Sequence, residues 1–471
     1  MPKHNSVSLL NYTFLVLATA AILALPCSAA ADVFTVANDD FYVVTTTKDY
    51  GVGGTDLLTL RLTLDSANSW AQTWGTGQDE YANSLAVSPN GDVYISGTFP
   101  AQDPMSPDPQ AYHPGEAFLI KFNAAGGVTF AKSYNWSTFV IEVRDICCAP
   151  DGSVYIAGAG WRLTEGYEMI TMAMLLKVNA NGELQWAKRL TFSYTETFYA
   201  VACDGSNVYC AAQWTGTGSK WKIVTACYNA TDGSLSWHDA WEGYGNAWPT
   251  DMCLDGLGNV YVIGNMSIND FPDPYNPEIQ NLNTDVLLLK YTTGGNQVWG
   301  QHFGSSYPDR SMSVATNAAG EVFVVGESVF SYLTPEEGLT QGTENMDTLF
   351  LRFNQLGVLT HARSNLADND QPFNETFMGV AVDSFGDIWT YGTTEADERT
   401  CVNAIGGYWL TQNSNSSPTP QEDEECGVSE WDLEGFTTTK VAEGAAAIDV
   451  LGTFSDITVA RWEEVGTLPG T

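Results

Sequence analysis

The stretch SPNGDVYISGTF (88–99) returns in altered copies along the whole chain. Clear copies are APDGSVYIAGA (149–159), DGLGNVYVIGN (255–265), NAAGEVFVVGE (317–327) and DSFGDIWTYGT (383–393). Weaker ones are ANDDFYVVTTT (37–47), DGSNVYCAAQ (204–213) and EGAAAIDVLGTF (443–454). Aligned on the strand residue they give Tyr42, Tyr94, Tyr155, Tyr209, Tyr261, Phe323, Trp389 and Asp449, at intervals of 52 to 66 residues. A period of this length built from short strands marks a repeat architecture, in which each unit buries its apolar face against its neighbours.

Each unit reads as four strands. A short first strand such as NSLAVSP (83–89) leads into Asn90-Gly91 or Asp151-Gly152, pairs that tolerate the positive φ of a tight hairpin turn. The VYISGTF strand is the second. The third carries an acid, four mostly apolar residues and a base: Asp56/Arg61, Glu116/Lys121, Asp285/Lys290, Asp347/Arg352 and Asp456/Arg461, with Lys177 in the same place. Only 19 basic residues occur in 471, so their periodic use implies a fixed structural partner on an adjacent strand or blade. The fourth strand centres on an aromatic, as in SWAQ (69–72), TFAK (129–132), QWAK (185–188) and VWGQ (298–301), a ring suited to wedging between sheets.

Alternation without a helical period predicts an all-β chain. Four-stranded antiparallel units set radially give a β-propeller; eight blades are expected, with seven the alternative. The blades fall at roughly 32–77, 80–134, 142–190, 196–243, 247–304, 309–364, 375–434 and 436–471, one domain spanning 32–471. The last unit shows three strands, and the segment near Val33–Ala37 is a candidate to complete it and close the ring.

Residues 1–31 read as a signal peptide: Lys3 and His4, an apolar run, then Ser28, Ala29, Ala30 and Ala31 for cleavage. A secreted, extracellular or envelope setting follows. No other segment is apolar enough to span a bilayer. The eight cysteines beyond the signal permit disulfides. Cys401–Cys426 is the best pair, bracketing an insertion with the run PQEDEEC on the face opposite the long loops, and Cys210 and Cys227 are candidates across neighbouring strands. A formal charge of −37 makes nucleic acid an unfavourable partner.

Segments such as NDFPDPYNPEIQNLNTDVLLLKYTTGGNQVWGQHFGSSYPDRSMSVATNAAGEVFVVGES (269–328) resemble the SBBP-type β-propeller repeat of exported bacterial and archaeal proteins. The resemblance implies a propeller, often seven-bladed, outside the cytoplasm, and carries no shared reaction. CYNATDGSLSW (227–237) is similar to the tryptophan-docking motif of quinone-dependent dehydrogenases, and Cys147-Cys148 to the adjacent-cysteine disulfide near their cofactor. That likeness implies a quinoprotein-like (PQQ-dependent) oxidoreductase as the alternative function.

The loops joining second to third strands are long and rich in Pro, acids and aromatics. Loops on a rigid scaffold are where binding residues collect. Tyr112, His113, Trp161, Tyr167, Phe271, Tyr275 and Tyr332 are the binding-face candidates, and Asp103, Asp270 and Asp273 are the oxygen ligands available if calcium binds. No other cofactor is expected. Histidines are few and show no HExxH or HxH spacing, and no GxSxG elbow occurs. The expected function is therefore a secreted or cell-surface, non-enzymatic module that binds protein or glycan, with no catalytic residues. A glycan-processing site assembled from distant blades is the third reading.

Overall fold

In a computed structural model of the chain the described residues are 457–462 and 33–394, apart from 39, 48–54, 64–67, 77–78, 100–114, 137–138, 164–168, 191–195, 216–219, 242–244, 268–283, 305–307, 329–346, 365–374 and 387. They form seven antiparallel sheets. Six have four strands in chain order; the seventh has three. The first strands are Val33–Ala37, Tyr81–Val87, Val140–Cys148, Glu196–Cys203, Ala247–Asp255, Asp309–Thr316 and Glu375–Val382. Each packs beside the next, and Glu375–Val382 packs beside Val33–Ala37, so they ring an axis and the circle shuts. The all-β propeller expected from the repeat is present.

The blade count is corrected. Among the described residues there are six complete blades and one three-stranded sheet, neither the expected eight blades nor the alternative seven complete ones. Ile457–Trp462, read from sequence as part of an eighth unit, pairs with Ile388–Thr394 and places Arg461 opposite Trp389. That is the register of a third strand in every other blade: Tyr42 faces Arg61, Tyr94 faces Lys121, Tyr261 faces Lys290. Residues 395–456, with Cys401, Cys426 and the run PQEDEEC, fall between the second and third strands of this sheet in the chain and lie outside the described residues. Val33–Ala37 is not lent to the last blade either. It pairs with Asp40–Thr47 in its own sheet, and closure comes from packing, with Phe41 edge-on to Trp389 at 4.0 Å.

Among the described residues burial is divided among the junctions between blades. One cluster, with Tyr94, Val143 and Ile156, fills the second junction; another, with Tyr155, Phe198 and Tyr228, fills the third. The periodic bases have the structural partner that their scarcity implied. Lys121 pairs with Asp92 at 2.8 Å and Arg352 with Glu321 at 2.8 Å, acids of the same blade. Across the junction, Lys177 donates to the Ala230 carbonyl at 2.8 Å and Lys290 to that of Gln355 at 3.2 Å. The fourth-strand indoles reach the same carbonyls: Trp186 Nε1 to Ala230 at 3.4 Å, Trp299 Nε1 to Gln355 at 3.3 Å. At these two junctions one acceptor thus fastens a blade to two side chains of the one before, as the Ala124 carbonyl does for Arg61 and Trp70. Trp237 docks on Gly295 of blade five just as Trp186 docks on Gly233 and Trp299 on Gly357. Tryptophan docking is therefore a general junction of this ring, and CYNATDGSLSW is one instance of it.

Candidate functional site

The glycine ending VYISG, VYIAG, VYVIG and VFVVG has a steric cause. A Cβ at Gly97 would lie 1.9 Å from the Tyr81 carbonyl oxygen, and one at Gly326 1.9 Å from that of Arg310. These carbonyls press inward because each first strand from blade two to blade seven carries an extra residue opposite: Asn83, Arg144, Tyr199, Thr250, Met312 and Met378. A bulge leaves its extra residue out of the ladder and re-aims the side chain. Here the first strand is the innermost of its blade, so the bulges lie on the strand edge nearest the axis. Arg144 and Met378 are exposed, and Tyr199 is half-buried.

On blades three and four these residues form a cluster. The Arg144 guanidinium lies 5.2 Å above the Tyr199 ring and bonds to Glu142 at 2.5 Å. Tyr199 donates its hydroxyl to Gln213 Oε1 at 3.0 Å. Burial pushes the Tyr199 phenol up, and the Arg144 charge opposes this. Around them, where first and third strands begin and second strands end, stand Trp161, Trp214, Trp221 and Trp248. Trp221 of blade four meets Trp248 of blade five edge-on at 6.1 Å, and Trp221 is 41% exposed. Lys222 lies 5.5 Å over Trp214. The result is an aromatic crescent over blades three to five at the channel mouth.

Immediately after two of the bulges come carboxyls. Asp145 accepts from Ser84 Oγ of blade two at 2.8 Å, from its neighbour Ile146 N at 2.8 Å, and from Val201 N of blade four at 2.8 Å. Asp251 accepts from Met252 N at 2.7 Å, and from Ser313 Oγ and Val314 N of blade six, both at 2.9 Å. Each belts neighbouring first strands together and keeps only a partial exposure. Packing around both carboxyls outweighs this residual exposure, so burial raises both. Asp145 is pushed up to about 7, the Asp251 charge adding to burial against its three donors. Asp251 is pushed up to about 6 by burial alone against its own donors. Near neutrality Asp145 is the more protonated of the two and Asp251 the more ionised, an ordering that acid–base chemistry can use.

Of the residues expected from sequence, Trp161 lies in the crescent. Tyr112, His113, Tyr167, Phe271, Tyr275, Tyr332, Asp103, Asp270, Asp273, Cys401 and Cys426 lie outside the described residues. Among the described residues no group of three or more His, Cys, Asp or Glu side chains is placed to hold a metal, and no helix is long and apolar enough to cross a membrane. The Cys210–Cys227 pairing is corrected: Cys227 lies opposite Tyr209, one residue out of step, and the two thiols enter cores on opposite faces of their sheet. Cys147 and Cys148 likewise face opposite junctions as separate thiols. Sequence reading missed Arg144, Asp145, Tyr199 and Asp251. Their signal was the glycine on the facing strand, together with an acid inside otherwise apolar runs.

No family model matches the chain and no curated protein does, so the SBBP-type resemblance extends only to the propeller fold. Among solved structures the chain is similar to the β-propeller domain of the Trilobed protease from Pyrococcus furiosus, at 9% identity and TM-score 0.41, over 79% of this chain and 92% of that one. It is similar to a polysaccharide lyase described as a PL25 ulvan lyase, at 10% identity and TM-score 0.45, over 77% and 89%. It is similar to an acylaminoacyl peptidase from Pyrococcus horikoshii, at 10% identity and TM-score 0.40, over 78% of this chain and 49% of that one. At these identities the likeness establishes the fold alone: this is a β-propeller. The expected non-enzymatic binding or structural module finds no support here and is withdrawn: the similar structures are named as a protease's propeller domain, a polysaccharide lyase and a peptidase.

Proposed function

We propose that the chain is an exported propeller enzyme that acts on a glycan by proton transfer in the axial channel. The observation that supports this reading is the pair Asp145 and Asp251, set in the channel wall with pKa values of about 7 and about 6. Asp251 serves as the base and Asp145 as the acid, each within one pH unit of neutrality, where such groups transfer protons best. The crescent of Trp161, Trp221 and Trp248 supplies flat apolar surfaces against which sugar rings lie, and Glu142, Arg144 and Gln213 supply hydrogen bonds for hydroxyls. A formal charge of −37 favours a neutral or cationic glycan over a polyanion.

The test is a panel of neutral, cationic and uronate-containing polysaccharides. Reducing ends report hydrolysis, and ultraviolet absorbance of unsaturated products reports elimination. Turnover should follow a bell-shaped pH profile with limbs near 6 and 7. Asp145→Asn and Asp251→Asn should each remove the corresponding limb and most of the rate. Absence of turnover across the panel, or full activity in both variants, would defeat the reading.

A further inference from the structure

The bulges put the first strands in a common register, and that register decides which side chains meet at each junction. Two residues after the carboxyl-bearing position, the side chain faces the following blade; three residues after, it faces the preceding one. Ala86 and Cys148 thus share the second junction, Ala202 and Leu254 the fourth, and Ala315 and Val382 the sixth. At the fifth, Cys253 faces blade six and its thiol meets the Thr316 hydroxyl. Only at the third junction are both positions cysteine. Cys147 of blade three and Cys203 of blade four enter one apolar cluster, and a side-chain hydrogen bond joins their thiols.

We propose that Cys147 and Cys203 form an inter-blade disulfide that locks blade three to blade four under the acid–base pair of the channel. The thiols oxidise at the expense of a low-molecular-weight disulfide such as oxidised glutathione. One thiolate attacks the small disulfide and releases one thiol. The second cysteine then attacks the mixed disulfide and releases the other, so two protein hydrogens end on two small thiols. Both blades fold about this point, and burial raises the Cys147 thiol well above its ordinary value. Exchange is therefore fastest while the junction is still open, and the bridge is a product of folding in an oxidising compartment.

The full-length protein is refolded with oxidised and reduced glutathione, alkylated without reduction, digested and mapped by mass spectrometry. The expected result is a peptide pair joined through Cys147 and Cys203, two hydrogens lighter than the sum of its parts. In Cys147→Ser the other cysteine should become alkylated, and the lowering of the thermal midpoint by dithiothreitol should shrink. Thr316→Cys tests the register independently, because it should join Cys253 at the equivalent place on blades five and six. Native-like, refolded protein with both Cys147 and Cys203 alkylated overturns the proposal, most decisively if Thr316→Cys does bridge. The map reads the bridge whether or not the glycan reading survives.

Discussion

Blade five contains two glycines with nearly the same backbone and different surroundings. Gly258 has φ 88° and Gly295 has φ 90°. A Cβ on Gly258 would meet only Thr293 Oγ1 at 3.9 Å, whereas one on Gly295 would lie 2.6 Å from Trp237 Cδ2 and 2.8 Å from Cγ. Gly258→Ala therefore reports the backbone term, about 1–2 kcal/mol for an L-residue in the left-handed region. Gly295→Ala adds overpacking of the docked indole, about 1–3 kcal/mol more. Trp237 also donates to the Thr293 carbonyl at 2.9 Å, so the ring cannot slide freely out of the way. In a Trp237→Ala background the clash disappears, and Gly295→Ala should fall back to the Gly258→Ala value. The coupling energy of the double-mutant cycle should then be about 1–3 kcal/mol. Urea midpoints at constant slope measure all four proteins. Equal costs for the two glycines, or zero coupling to Trp237, would refute the docking argument.

The carboxyls of the channel also set a pH dependence. Their folded values, about 7 and about 6, stand above the ordinary 3.8, so the native state binds protons more tightly than the unfolded chain. Stability from these groups is greatest below pH ~4 and is lost as pH rises through 6 and 7, by a few kcal/mol together. Urea melts at pH 5 and 8 should show the protein weaker at 8, with Asp145→Asn flattening the difference; an unchanged difference in that variant would count against the assignment. Lys290, a 7%-exposed residue, holds its ammonium 5.0 Å over Tyr261 and donates to Gln355, so Lys290→Met should cost about 2 kcal/mol in the same assay. Trp248→Ala should raise KM for the glycan about tenfold with kcat little changed, because ring stacking contributes about 1–1.5 kcal/mol; an unaltered KM would remove the crescent from the site.

Much of the scaffold could be read in advance because each blade repeats the same physical solution. The periodic Lys or Arg, the aromatic opposite it and the fourth-strand tryptophan all interact within one hairpin or across one junction, so their spacing survives in the chain. The eighth blade was misread for the same reason. Asp456 and Arg461 carry the third-strand pattern faithfully, but pairing places Arg461 opposite Trp389, some 70 residues earlier, across an insertion that itself imitates a repeat. The candidate site was harder to see. VRDIC (143–147) and PTDMC (249–253) look like ordinary copies of a first strand, and only the bulge distinguishes a carboxyl in the channel wall from one in solvent. Register across a sheet is not written in either strand alone.

The closing contact has a bearing on biosynthesis. Blades one to six are each built from consecutive chain, so they can assemble as the polypeptide emerges, forming a growing arc held by local contacts. Blade seven cannot be finished until Ile457–Trp462 arrives, and Phe41 must wait for Trp389 before the arc becomes a ring. A ribosome stalled before residue 375 would hold a nascent chain gaping between its first and last blades, with Phe41 lacking the Trp389 ring it meets in the closed circle. The seam is thus where a chaperone or a protease would find this protein youngest and most vulnerable.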